Sequence, residues 1–186
     1  MADKITIIKQ DINRNFKYYA NAEIFLILLF SCIPLFIHFP FRINIFLSWE
    51  GAYRMSHGEI PFRDFGIPMG YMFWVIPAIF FKIFGPYLIT LIKAQVLINI
   101  ISGFAFRSIL KSLNVSPVIR LLSILLFCLS YISINFWPWY NHTVIVFEFV
   151  ALAFLMKSIT SINRKKQIVL LLLSSLFTFI SFFTKQ

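Results

Sequence analysis

Long apolar runs separated by short polar connections dominate the pattern of the chain. The first run covers residues 24–39, and it extends to Leu47 if Arg42 and Asn44 lie at a water interface. Four later runs have comparable length, at residues 87–106, 121–139, 142–159 and 168–183. A helix needs roughly 20 residues to cross a hydrocarbon layer of about 30 Å. The pattern therefore predicts five membrane-spanning helices.

A sixth apolar run, residues 71–84, is shorter than a span. It holds 14 residues, YMFWVIPAIFFKIF, with Pro77 inside it and Lys82 near its end. At 1.5 Å per residue such a helix reaches only about 21 Å. Gly85 and Pro86 then break the helix before the next long run begins. Whether this segment crosses decides the direction of every helix after it.

The long polar interval, residues 49–70, reads WEGAYRMSHGEIPFRDFGIPMG. It holds three of the seven carboxylates, two arginines, one of the three histidines and four of the six glycines. Acid–base chemistry and recognition of charged ligands need side chains of this kind, and the apolar runs offer few of them. The sequence therefore indicates that candidate chemistry lies in this interval.

Composition identifies an integral membrane protein. The chain is 60% hydrophobic and 19% aromatic, with a mean hydropathy of +0.84, unlike a water-soluble domain. Its net charge of +10 lies in short basic clusters between apolar runs, where Lys and Arg set topology and meet lipid headgroups. We therefore predict an all-α polytopic helix bundle that contacts membrane lipids and binds no nucleic acid.

The basic clusters favour a short run that does not cross. In that case eleven of the seventeen basic residues lie on one side, as expected of cytoplasmic segments. They are Lys4, Lys9, Arg14 and Lys17, then Arg107, Lys111 and Arg120, then Lys157, Arg164, Lys165 and Lys166. A crossing would move the last two clusters to the side opposite the first. We therefore expect residues 71–84 to form a short interfacial or re-entrant helix.

This topology divides the chain into a cytoplasmic N-terminal arm, residues 1–22, and a transmembrane domain, residues 23–186. The first outer loop covers residues 40–86. The first apolar run has no evident small-residue cleavage site, which predicts an uncleaved anchor in the cytoplasmic membrane with the N-terminus inside. Cys32 and Cys128 lie in apolar runs without metal or redox spacing, so we expect small buried side chains.

Glu50 is the candidate general base. It lies near the membrane surface between Trp49 and Gly51, a bulky apolar neighbour and a residue of flexible backbone. A solvated acid without a catalytic role is the alternative. Asp64 follows Arg63 in an aromatic, proline-containing segment, so a structural ion pair or cap and a ligand-binding role both fit. Glu59 is expected to be structural.

Four cations of the outer side, Arg54, Arg63, Lys82 and Lys185, are candidates for holding a phosphate group through charge-assisted hydrogen bonds. Snorkelling to lipid headgroups is the alternative for each of them. Three histidines, His38, His57 and His142, also fall near the outer interface, but no two have the close spacing of a zinc motif. We therefore assign no metal or cofactor.

Glu148 is a carboxylate within an apolar run, VIVFEFVALAF. A charged acid at the centre of a span costs about 2.5 to 3.5 kcal/mol, so this group needs a partner or a proton. Gln95, Asn99 and Ser102 share one helix face by their spacing, and interhelical pairing or a polar pocket both fit. A non-enzymatic transporter or assembly subunit centred on Glu148 is the rival interpretation of the whole chain.

The order of features in the first half of the chain resembles that of the GT-C class of integral membrane glycosyltransferases. One helix precedes W-E-G-x-Y at residues 49–53, G-E-I-P-F-R-D-F at residues 58–65, P-M-G-Y at residues 68–71 and a short aromatic helix ending in F-G-P. Members of that class transfer sugars from polyprenyl-phosphate donors, and they include protein mannosyltransferases and the aminoarabinose transferases of lipid A.

The resemblance implies roles for several residues. An acid in the first outer loop, ahead of a G-x-x-P-Y/F-x-D segment, is the base in that class, and Glu50 matches its position, with Glu in place of the common Asp. The helix that follows lines the donor site in the class, which corresponds here to residues 68–84 and includes Tyr71. A Lys-Gln pair after a later span also recurs and resembles Lys185 with Gln186.

Other features of the resemblance bear on the acceptor. The second outer loop of the class often bears an acid, whereas residues 137–143 here offer Tyr140, Asn141 and His142. With His57, His142 is a candidate for substrate contacts at the outer face. Enzymes of the class have more spans than five, so the chain corresponds to their N-terminal portion and alone would lack acceptor-binding elements. The expected partners are a polyprenyl-phosphate-sugar donor and a lipid, glycan or protein acceptor, with no nucleotide.

The topology predicts that a cysteine placed at Ser112 or Asn163 is protected from an impermeant thiol reagent applied to intact cells. Both positions belong to the basic loops assigned to the cytoplasm. Labelling of either thiol from outside would contradict the assignment.

Overall fold

The structure, a computed structural model, describes residues 2–37, 43–66 and 70–185, with side chains described from residue 17 onward. Its α-helices are α1 (Ala2–Cys32), α2 (Asn44–Ser56), α3 (Val75–Phe84), α4 (Leu88–Ser112), α5 (Pro117–Ser130), α6 (Tyr140–Ile159) and α7 (Arg164–Lys185). Short 3-10 turns lie at Ile33–Leu35, Met72–Trp74 and Ile132–Ile134. Within the described residues the β pairing is one isolated bridge, between Pro61 and Phe65. The all-α prediction is confirmed.

Five helical segments are long and apolar enough to cross a membrane. They are Lys17–Leu35, Leu88–Ser112, Pro117–Ile134, Tyr140–Ile159 and Arg164–Lys185. The segment Met72–Phe84 is apolar but shorter, and at 1.5 Å per residue it reaches about 20 Å. The predicted count of five spans plus one short helix is confirmed.

Helices α1 and α4 run antiparallel. Arg107, near the end of α4, donates from Nε to Glu23 Oε2 of α1 over 2.7 Å. Ile27 lies one turn after Glu23 on α1, and Gly103 lies one turn before Arg107 on α4. These two residues are also in contact, since a Cβ atom added to Gly103 would lie 2.6 Å from Ile27 Cγ2. The chain therefore leaves α1 and enters α4 at the same end of the bundle. The short helix between them does not carry the chain across, as the basic clusters indicated.

The remaining spans alternate in direction. Arg120, at the start of α5, donates to Glu23 Oε1 over 2.6 Å, so α5 begins where α4 ends. Helices α6 and α7 are antiparallel neighbours, since Ser174 donates to the Ala151 carbonyl over 2.9 Å and Ser181 to that of Val144 over 3.3 Å.

The bundle therefore has two chemically different ends. We call the end with residues 43–66 and 70–87 the loop end, and the end with Glu23, Arg107 and Lys157 the basic end. Both predicted basic loops lie at the basic end, with Lys111 and Lys157 lining one cleft there. That this end faces the cytoplasm stays a prediction.

The expected extension of the first span to Leu47 is wrong. Helix α1 ends at Cys32, and a 3-10 turn containing Pro34 follows it, because proline disfavours the α conformation of the residue before it. Leu47 belongs to α2, a separate helix whose buried positions include Ile45, Ser48 and Ala52. The polar interval therefore starts as a helix, and His38 lies outside the described residues.

The N-terminal arm is not set off from the first span by a break in the helix. Helix α1 runs from Ala2 through the predicted boundary at residue 22. The next residue, Glu23, is fully buried and accepts from Arg107 and Arg120 on two other helices. A buried carboxylate between two guanidinium groups was not expected from the sequence, where the arginines were interpreted as topology signals.

We expect Glu23→Gln to destabilise the bundle. Removing one partner of a buried ion pair leaves uncompensated charge, which costs on the order of 3 kcal/mol. Unfolding in mixed micelles, followed by circular dichroism, would measure the loss. Glu59→Gln is the control, because Glu59 is partly exposed and should change stability little. Equal stability of Glu23→Gln and the native chain would contradict a structural role for the buried carboxylate.

Candidate functional site

Glu50 lies in the middle of α2, with more than half of its side chain exposed. Arg54, one turn later, donates to Glu50 Oε1 from Nη2 over 3.0 Å and from Nε over 3.1 Å. The carboxylate is thus held by a neighbouring cation on a regular helix rather than on a flexible loop. Its position follows from α2, whose apolar face packs against α3 and α4.

Arg54 also joins a second carboxylate. Its Nη1 donates to Glu59 Oε2 over 3.2 Å, and its guanidinium carbon lies 5.4 Å from the centre of the Phe65 ring. The hydrogen bonds to Glu50 and then to Glu59 raise the pKa of Arg54 above its ordinary value. Glu59 therefore belongs to the same ion-pair cluster as Glu50. Arg54 would have to leave one carboxylate to hold a phosphate, which competes with the role predicted for it.

Two clefts meet at Glu50. The larger, of about 480 Å³, is lined by Phe46, Trp49, Glu50, Tyr53, Arg54 and Glu59. The smaller, of about 90 Å³, is lined by Leu47, Glu50, Gly51, Arg54, Phe65, Gly66 and Trp74. Both therefore combine the same ion pair with apolar and aromatic walls. This suits a ligand with a charged group and a hydrophobic part.

Aromatic side chains fix the walls of these clefts. Trp49 stacks on Tyr53 with ring centres 4.9 Å apart, and its indole nitrogen donates to the Pro86 carbonyl over 3.0 Å. Trp74 donates to the Leu47 carbonyl over 3.1 Å and lies directly against Gly51. Gly51 therefore does not provide the flexible backbone that was expected. It lies inside a helix, and its missing Cβ leaves room for the indole.

Asp64 and Arg63 form an ion pair within a turn, which fits the structural role, while the ligand-binding role stays a prediction. Arg63 binds both oxygens of Asp64, over 2.9 and 2.8 Å, and the Ile60 amide donates to Oδ2 over 2.8 Å. The hydrogen bonds from Arg63 and then from Ile60 lower the pKa of Asp64 to about 2. Because the pKa is depressed, the ion pair contributes at pH values above the ordinary carboxyl range. Its contribution is lost as the pH falls through about 2.

His57 and Tyr71 lie near the Glu50 clefts without lining them. His57 ends α2, with Nδ1 2.9 Å from the Tyr53 carbonyl oxygen and its ring 4.3 Å from that of Tyr53. Tyr71 contacts Phe62 edge to face at 5.8 Å and Phe183 of α7 at 6.5 Å. Tyr71 therefore connects the turn at residues 60–65 to the end of the last span.

Three other predicted site residues are not brought to Glu50 by any contact among the described residues. Lys82 is exposed on α3, and Lys185 is exposed at the end of α7. His142 lies in the first turn of α6, where its carbonyl accepts from the Tyr131 hydroxyl over 2.8 Å. All three are at or near the loop end, as expected, but the site residues form separate clusters.

The loop end nevertheless gathers four parts of the chain. The Ser48 hydroxyl of α2 donates to the Pro138 carbonyl of the connection before α6. Phe73 contacts Tyr140 at 6.0 Å between ring centres, and Gly70 lies against the backbone of Phe183 and Thr184. The polar interval is therefore covered by the second loop and by the last span.

Glu148 and the polar stripe on α4 are separate features. Gln95 donates to Asn99 over 2.7 Å, and Asn99 donates to the carbonyls of Ile132 and Asn135 over 3.3 Å each. Asn99 thus joins α4 to the 3-10 turn and the connection that follow α5, a pairing between elements of the kind that the spacing allowed. The Ser102 hydroxyl has no hydrogen-bond partner among the described residues. Glu148 is exposed on α6 and accepts a hydrogen bond from Ser181 over 3.4 Å.

Fold and site define a multi-pass α-helical membrane protein with an aromatic-walled cleft that contains a salt bridge at one end of the bundle. No known protein family, no curated protein and no solved structure shows significant similarity to the chain. The function must therefore be argued from the residues of the site.

We expect Gly51→Ala to disrupt the site and Gly66→Ala to leave it intact. A methyl group at residue 51 would overlap the Trp74 indole, whereas a Cβ at residue 66 meets no atom of the described residues within 4 Å. Overpacking of this kind costs about 1 to 3 kcal/mol. Thermal unfolding in detergent, with protease cleavage within residues 57–66 as a local readout, would measure both variants. Equal behaviour of the two would contradict the packing of Trp74 on Gly51.

Proposed function

We propose that the chain is a glycosyltransferase, or the N-terminal part of one, acting at the loop end of the bundle. The donor is a polyprenyl-phosphate-linked sugar, and the acceptor is a lipid, glycan or protein. The observation that carries the proposal is the exposed Glu50 carboxylate, held by Arg54 at the junction of two aromatic-walled clefts. The sequence resemblance to GT-C enzymes supports Glu50 as the catalytic base.

Glu50 is the proposed general base. It takes the proton of the acceptor hydroxyl or amine as that atom forms a bond to the anomeric carbon of the sugar. The bond from the anomeric carbon to the phosphate oxygen breaks, and the phosphate keeps the electron pair. A single in-line displacement inverts the anomeric centre. Glu50 suits the role because its carboxylate is accessible from both clefts.

Arg54 is the proposed partner of the leaving phosphate. An arginine can hold a phosphate through two parallel hydrogen bonds, and such bonds strengthen as charge develops on the leaving oxygen. Arg54 holds Glu50 and Glu59 in the structure. Exchange of one carboxylate for the donor phosphate would free Glu50 to accept a proton. Trp49, Tyr53 and Phe46 offer the apolar surface that a prenyl chain requires.

A second candidate function rests on Glu148. This carboxylate lies near the middle of α6 on an exposed face. Among the described residues, it accepts a hydrogen bond from the Ser181 hydroxyl. An ionisable group inside a span is costly and commonly marks an ion path or a contact with another helix. A transporter or assembly subunit would then use Glu148, and Glu50 would belong to a lid.

Two isosteric substitutions separate these functions, Glu50→Gln and Glu148→Gln. Transfer of a labelled sugar from a polyprenyl-phosphate donor, measured in membranes with the full-length protein, should fall at least about 100-fold in Glu50→Gln, because a general base contributes 10²–10⁴-fold. Glu148→Gln should retain transfer. Proton- or ion-coupled flux that depends on Glu148, together with normal transfer by Glu50→Gln, would sink the proposed function.

A further inference from the structure

The basic end carries a cleft that the proposed function does not use. Its volume is about 600 Å³, and it lies between the last turns of α4 and α6. Its lining includes three cations and three hydroxyl groups, from Arg107, Lys111 and Lys157 and from Ser108, Ser112 and Thr160. We call it the basic cleft. It lies at the basic end, whereas Glu50 lies at the loop end and lines other clefts, so the basic cleft stands independently of the proposed transferase site.

The charges of the basic cleft are poorly balanced by the protein itself. Glu23 is the carboxylate nearest to it in the hydrogen-bond network, and that group is fully buried and shared between Arg107 and Arg120. Neither Lys111 nor Lys157 has an ion pair with a described residue. Like charges that converge in one cleft repel each other, and a bound anion relieves that repulsion.

Some hydrogen-bond donors of the basic cleft have no acceptor among the described residues. Arg107 uses its Nε for Glu23, and no described residue accepts from its terminal nitrogens. The Ser108 hydroxyl is buried and has no hydrogen-bond partner among the described residues. Ser123 and Ser130, in contrast, each donate to the carbonyl one turn earlier. The lining therefore offers charged and neutral donors together, which is the set that recognises phosphate oxygens.

We propose that the basic cleft binds a phosphate group, such as the one that an anionic phospholipid headgroup carries. Arginine and lysine hold the phosphate oxygens, and the Ser108 and Ser112 hydroxyls complete their hydrogen bonds, whereas the Thr160 hydroxyl donates to carbonyls of its own helix. The site lies at the ends of two spans, which is headgroup depth in a bilayer. Phe104, which also lines it and is partly exposed, lies where an acyl chain would begin.

Lysines in the last turn of a helix also complement the helix dipole and reach the interface without any ligand. Neither role requires a cleft or a bound anion, and snorkelling makes no distinction among lysines at the same end of the bundle. A site for phosphate does make that distinction. Lys165 and Lys166, in the first turn of α7, are at the same end but do not line the basic cleft.

The test compares Lys111→Gln/Lys157→Gln with Lys165→Gln/Lys166→Gln, two double variants that lose the same charge. Binding of phosphatidylglycerol to the full chain is measured by native mass spectrometry, with phosphatidylcholine as the reference lipid. A second arm measures inorganic phosphate by calorimetry in phosphatidylcholine nanodiscs. The cleft variant should weaken binding at least about tenfold and the control less than about threefold, given what charged hydrogen bonds contribute. Circular dichroism checks that both variants keep their helices.

Each outcome decides something. Loss of phosphatidylglycerol binding in the cleft variant alone supports a lipid headgroup, and loss of inorganic phosphate binding in that variant alone supports a soluble phosphate. Loss in both arms supports the phosphate site with either source. Equal weakening in the two double variants, or no preference for phosphatidylglycerol over phosphatidylcholine together with no binding of phosphate, overturns the proposal.

Discussion

One buried carboxylate joins three helices at the basic end of the bundle. Glu23 accepts from Arg107 and Arg120, residues 84 and 97 positions away in the sequence. A charge buried at the end of a span is costly unless it is paired and hydrogen bonded. The pairing therefore favours an arrangement in which α1 lies antiparallel to α4 and α5 begins beside them. In that arrangement the chain leaves α1 and enters α4 at the same end of the bundle, so the segment between these two helices begins and ends at the loop end.

The loop end is built on this return. Helices α2 and α3 pack against the start of α4 and leave the Glu50 and Arg54 side chains partly exposed. Trp74 fills the space that Gly51 leaves, and the Arg63–Asp64 turn packs beside it through Phe65. Contacts from Pro138, Tyr140 and Phe183 then cover the segment from the other spans. The candidate site is thus an ion pair on a short helix, supported by aromatic packing rather than by a flexible loop.

Hydropathy and charge were enough to predict the five spans, the short helix and the common end of the basic loops, because lipid imposes those constraints locally. Hydropathy and charge did not predict α2 as a separate helix. Continuous apolarity suggested a longer first span, although buried Ile45, Ser48 and Ala52 have helical spacing of their own. The partners of Glu23 and of Trp74 lie too far away in the sequence for any local pattern to identify. Glu50 as a site residue stays a prediction made from its chemistry, and its pairing with Arg54 follows from their spacing of four residues.

Helix α2 folds back onto the connection before α6, so the candidate site lies at one shared end of the bundle. Cysteines at Ser48 and Pro138, in a chain whose Cys32 and Cys128 are replaced by Ala, test it with a short bis-thiol cross-linker. Ser48 contacts Pro138 directly, so we expect rapid cross-linking of this pair. We expect none between Ser48 and Asn163, which lies at the basic end. Cross-linking of the second pair in place of the first would contradict this arrangement of α2.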